Sequence, residues 1–198
     1  MAAEVTAAPE VATRVLVASI EGEYRRYKLL AEGAFAQLSE EQLNARAGNE
    51  ANSIAMVCWH VSGNLASRFG DFLATDGEKP WRVREEEFAA RRVTRAECDA
   101  KWQSGWKVLL DTVASLTDTD VDRTVTIRQQ PLSVRDALLR SLAHVSYHVG
   151  QIVYIAKVLK GPTWTYLTIP PGQSDTYNRN PTLEKPQDLA LALETRKP

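Results

Sequence analysis

The chain has 198 residues, 44% of them hydrophobic, and 24 basic residues set against 25 acidic ones for a formal net charge of -1. That length and apolar content suit one domain with a sizeable core. Charges of both signs are interspersed, which argues against a nucleic-acid partner, and no apolar run approaches the roughly 18 residues that span a bilayer. Cys58 and Cys98 are isolated and form no disulfide framework, so a reducing compartment is expected. Residues 1–9 lack the charged and apolar regions of a signal peptide, and a cytoplasmic location follows as the expectation.

Four stretches carry helical periodicity. The first covers about residues 9–38. There Val17, Ile20, Tyr24, Tyr27, Ala31, Ala34 and Leu38 step by three and four along one face. Pro9 stands near its start, where a missing N–H costs nothing. The second covers about 53–75, with Asn52 or Ser53 as cap and Asp76-Gly77 as stop. Residues 78–88 then read as a charged connection. The third opens on Thr94-Arg-Ala-Glu97, a capping-box pattern, and carries Trp102 and Trp106 as core anchors. Thr124 to Arg128 alternates like a short strand or hairpin that Pro131 closes. The fourth runs from a Ser133 cap to Lys160 and is stopped by Gly161-Pro162.

Residues 163–172 are aromatic and Pro-rich and should lie as extended loop on the helices. The tail from about Asn180 is polar, with a short helix expected over about 187–194. The predicted fold is all-α: a four-helix bundle with long connections and a short hairpin before the fourth helix. One domain spans 1–198, with a core over about 10–162 and an extended segment over 163–198.

The most informative residues are the three histidines, His60, His144 and His148. Four residues are about one helical turn, so His144 and His148 stack on one face. By a count of about 100° per residue both point toward the margin of the buried stripe, and His60 lies along one edge of the inward stripe of the second helix. Buried imidazoles need partners for both ring nitrogens, and a divalent ion supplies one to each. Three protein ligands would leave one position open, as in a reactive metal site. Other metal motifs do not fit: Val145 follows His144, so there is no His-Glu-x-x-His, and no glutamate precedes a histidine at diiron spacing.

The same wheel places Asn64 and Gln151 toward the seam, as ligand-binding or supporting hydrogen-bond groups. Arg68 faces inward, where it would meet a substrate carboxylate or, more simply, pair with Asp71 or a glutamate from another helix. Tyr147 and Tyr154 flank the ligand face and are expected to pack, part-buried. Cys58 points away and makes a poor fourth ligand. No carboxylate stands out as a closing ligand.

At these residues the chain resembles the DinB-like superfamily, four-helix metalloproteins marked by one histidine on the second helix and His-x-x-x-His on the fourth. Here that reads His60, then His144-Val-Ser-Tyr-His148-Val-Gly150-Gln151. A branch of unknown function is similar also at Asn52-Ser-Ile54, Ser67-Arg68, Asp76-Gly-Glu-Lys-Pro-Trp-Arg82 and Tyr147-His-Val-Gly-Gln-Ile-Val-Tyr154. The resemblance covers roughly residues 10–180. It implies a divalent metal, zinc or nickel, on the three histidines, and a homodimer. It also implies a small-molecule substrate and a low-molecular-weight thiol as cosubstrate, hence a thiol-dependent S-transferase or isomerase. The alternatives at this stage are a metal-hydroxide hydrolase and a non-catalytic, stress-related binding module with a structural metal.

Overall fold

The structure is a computed structural model that describes residues 13–46, 48 and 51–194. Four long helices dominate: α1 (Val15–Phe35), then, after a short α2 (Glu40–Asn44), α3 (Ile54–Phe69), and, after a short α4 (Arg84–Glu87), α5 (Arg95–Ser115). A hairpin of β1 (Thr124–Ile127) and β2 (Gln130–Ser133) leads into α6 (Val134–Lys160), followed by α7 (Ser174–Asn178) and α8 (Pro186–Glu194). α3 packs on α5 and α6, and α1 packs on α6 and α5, which closes the four into a helical bundle. The predicted all-α fold class is therefore observed. The start of the first predicted helix, at 9–12, lies outside the described residues.

Local chemistry accounts for the helix starts. Ser39 and Thr94 form capping boxes with Gln42 and Glu97, and Ser53 and Ser133 accept from Met56 N–H and Asp136 N–H. Each such cap contributes about 1 kcal/mol. α6 ends at Gly161 with φ of 55°, where glycine lacks the Cβ clash.

α3 ends six residues before the expected stop. Gly70 leaves helical space at ψ 122°, Asp71 follows at φ 49°, and Thr112 Oγ1 donates to the freed Phe69 carbonyl at 2.9 Å. Pro131 does not close the strand segment but sits inside β2, opposite Thr126. Either strand of a two-stranded ribbon is an edge, where a missing N–H is tolerated.

The core runs through all four long helices. Tyr24, Phe69, Trp102 and Trp106 are fully buried, and edge-on ring contacts join Tyr24 to Phe69 and Trp106, and Phe35 to Trp102. Burial of each such ring stabilises by about 1.5–3 kcal/mol. The two tryptophans anchor the core as expected. α3 and α5 approach closely because Gly105 has no side chain: a Cβ there would stand 2.5 Å from Ser62 Cα. Cys58 is buried and turned from the histidines, with Sγ donating to the Cys98 carbonyl at 3.4 Å. The short helix expected over about 187–194 is present as α8. α8 lies against α1, with Leu189 fully buried. Among the described residues no helix is long and apolar enough to cross a membrane.

Candidate metal centre

His60 comes from the middle of α3, and His144 and His148 from successive turns of α6. The α3–α6 contact brings them together. One ring nitrogen from each lies within 4.8 Å of the others. His144 Nε2 stands 3.2 Å from His60 Nε2 and 3.1 Å from His148 Nε2. A tetrahedral ion with nitrogens at about 2.0–2.1 Å would hold them about 3.3–3.4 Å apart, so the rings stand close to ligand spacing.

The opposite ring nitrogens decide which atoms face inward. His60 Nδ1–H donates to Glu87 Oε2 at 2.9 Å, and His148 Nδ1–H donates to Gln151 Oε1 at 2.8 Å. Both Nε2 atoms are thereby left as lone pairs aimed at His144. A proton on His144 Nε2 could satisfy one of them and never both. His144 Nδ1 is buried with no hydrogen-bond partner among the described residues. A divalent cation matches this donor set, because it takes all three lone pairs at once. Burial, then the neighbouring His148 and His60, pull the His144 pKa down to about 3. His148 is lowered as well, chiefly by burial. The two α6 rings are therefore neutral near pH 7, the state a metal requires.

Glu87 is the site residue that sequence reasoning missed. Beyond His60, its carboxylate receives a two-pronged bond from Arg82 Nε and Nη2, both at 2.8 Å. Burial by itself would raise this carboxyl's pKa, but the bonds from Arg82 and His60 outweigh it and hold the group below the usual range. A bidentate guanidinium pair of this kind is strong and directional. Glu87 reaches the site through a notch in α3: a Cβ on Gly63 would lie 2.1 Å from Glu87 Oε1. That glycine in mid-helix was the available signal. Phe88, the next residue, covers the His60 ring with centroids 4.5 Å apart. A carboxylate is thus present close to the cluster, contrary to expectation, but behind His60.

The connection between α3 and α4 is a scaffold for the site. Ser67 Oγ and Arg68 both donate to the Gly77 carbonyl. Arg68 also pairs with Glu78 at 3.1 Å, which corrects the expected pairing with Asp71 or a glutamate on another helix. Asp76 Oδ atoms accept from the N–H groups of Glu78, Arg128 and Gln129 at 2.7, 2.8 and 2.6 Å. Arg128 and Gln129 form the hairpin turn with φ of 53° and 62°. Such turns ordinarily use Asn-Gly, and each L-residue held there costs about 1–2 kcal/mol. The Asp76 carboxylate offsets that strain.

The cluster opens on a pocket of about 450 Å³. Asn64, Arg68, Tyr147 and Gln151 all line it. Tyr147 and Tyr154 are 64% and 70% exposed, so neither packs as expected; Tyr147 stands at the pocket mouth, edge-on to His148.

Residues 11–173 match the family described as Protein of unknown function (DUF1572). The chain belongs to that family. No curated protein matches it.

Proposed function

We propose that this member of the family is a divalent-metal enzyme of the DinB-like superfamily that acts on a small molecule. The reaction that fits best is thiol-dependent S-transfer or isomerisation, with zinc or nickel as the metal. We place it in the cytoplasm as a homodimer. One observation carries the reading: two imidazoles whose Nδ1–H groups are fixed aim their Nε2 lone pairs at a third, beside a pocket of about 450 Å³. That volume falls in the range of small-molecule sites.

His60, His144 and His148 would hold the ion. A divalent ion there supplies Lewis acidity and favours the deprotonated form of a thiol or water admitted to the pocket. The protein's own part is positional. Glu87 and Gln151 fix two ring orientations, and burial keeps the His144 and His148 rings neutral. Phe88 shields one side of His60 from water. Asn64 and Tyr147 offer polar groups to an incoming molecule, and Arg68 is occupied by Glu78 and the Gly77 carbonyl.

The test is metal analysis of protein purified without a nickel column, followed by thiol titration of the cobalt-substituted protein. Stoichiometric metal and a thiol-induced spectral change are expected, and His148→Ala should abolish both. Metal retained in full by His148→Ala would end the site assignment. A cobalt spectrum silent to thiols would remove the thiol chemistry and leave a structural metal.

A further inference from the structure

The wall of the pocket beside the histidines carries an unbalanced charge. Arg68, Arg82, Arg84, Arg128 and Arg140 line it, and among the described residues no aspartate or glutamate does. Arg82 is taken up by Glu87. Arg68 and Arg128 share a single carboxylate, Glu78. Among the described residues Arg84 pairs only with Glu85, whose side chain is 85% exposed, and it lies over Phe88 at 5.0 Å. A pair that open to water neutralises little. Arg140 has neither a hydrogen bond nor an ion pair among the described residues. It lies one turn before His144 on α6, about 6 Å along the axis.

The hairpin turn is the second, independent observation. Arg128 occupies a left-handed backbone position that glycine or asparagine would fill without strain. The Asp76 carboxylate fastens that turn so that Arg128 lines the pocket. Apart from the ion pair with Glu78, nothing in the turn calls for arginine.

We propose that this wall is an oxyanion subsite: the substrate carries a carboxylate or phosphate received by Arg140 and Arg128, with Arg84 at the rim, while its reacting end faces the three imidazoles. Guanidinium groups match both oxyanions through paired N–H donors. A cleft lined by one sign of charge also concentrates the opposite ion. A cation on the histidines would add to that field, so a neutral or cationic substrate is disfavoured. The inference rests on the proposed function only for where the reacting end sits; the arginine subsite needs no metal.

The test compares 3-mercaptopropionate with 3-mercaptopropionamide, which has the same thiol and no charge. Binding is measured by calorimetry on the metal-free and the cobalt-substituted protein, with the cobalt spectrum as a second readout. The carboxylate is expected to bind at least about tenfold more tightly to both forms, equivalent to about 1.4 kcal/mol. In Arg140→Gln and Arg128→Gln that preference should fall below about threefold, while cobalt stoichiometry stays intact. Competition by inorganic phosphate against acetate then tells which oxyanion fits. Equal binding of acid and amide, or a preference that survives both substitutions, overturns the subsite. Loss of the cobalt signal alone counts against the metal reading and leaves the calorimetric comparison decisive.

Discussion

Glu87→Gln separates what this carboxylate does for the metal from what it does for the fold. The carboxylate accepts three bonds, one from His60 and two from Arg82, at 2.8–2.9 Å. An amide has a single acceptor oxygen, and its NH₂ would meet an N–H donor on one side or the other. The Arg82 side chain is only 2% exposed, so it would lose its counter-charge inside the protein. Breaking a buried pair in this way costs about 3–5 kcal/mol, to be read from urea denaturation of metal-free protein. Loss of the group that orients a metal-binding histidine typically lowers affinity about 10–100-fold, or about 1.4–2.7 kcal/mol, to be read by chelator competition. Both losses are expected together. If stability falls by the stated amount while metal affinity stays within about twofold of the parent, Glu87 secures the connection alone and its role at His60 is refuted.

Gly63→Ala should reproduce the metal defect of Glu87→Gln without touching the carboxylate, because the new methyl would stand 2.1 Å from Glu87 Oε1; chelator competition checks it, and unchanged affinity would mean that Glu87 moves aside freely. Acidification should destabilise the metal-free protein. The folded-state pKa values of His144 and His148 lie below the ordinary value of 6.5, with His144 at about 3, so the unfolded chain takes up protons first. Stability is then fully present above about pH 6.5 and falls as the pH drops toward 3, and Asp76 and Glu87, held below their ordinary values, add to the loss only below about pH 4.5. Urea midpoints between pH 7 and 5 isolate the histidines, and a flat profile there would contradict their burial. Gln129→Gly should raise stability by about 1 kcal/mol, since it relieves one left-handed residue, and a thermal scan tests it.

The long helices and their inward faces were legible because period, caps and breakers all agreed, as at Thr94 and Glu97 or Ser133 and Gly161. His144 and His148 were legible for the same reason: their relation is set within one helix. His60 needed a tertiary contact, yet the wheel put it on the correct edge of α3. Glu87 was not legible. It stands in Arg84-Glu-Glu-Glu87, where composition treats three glutamates alike and only the three-dimensional path distinguishes the inward one. The hint was Gly63, which costs a helix about 1 kcal/mol and so asks for a close neighbour. The early end of α3 was misread for a related reason. Phe72 is buried and kept the apolar period going, while Gly70 had already released the backbone.

α8 gives α1 a second covered side. Pro186 sits 3.1 Å from the Cβ position of Gly22, and Leu193 sits 3.6 Å from that of Gly33, while Leu189 is sealed from water. The family match stops at residue 173, before this helix begins. A shortened version cut at that boundary would therefore strip α1 and leave a greasy strip facing solvent, a familiar origin of clumping during expression. Work on the isolated family region should carry the chain through Glu194.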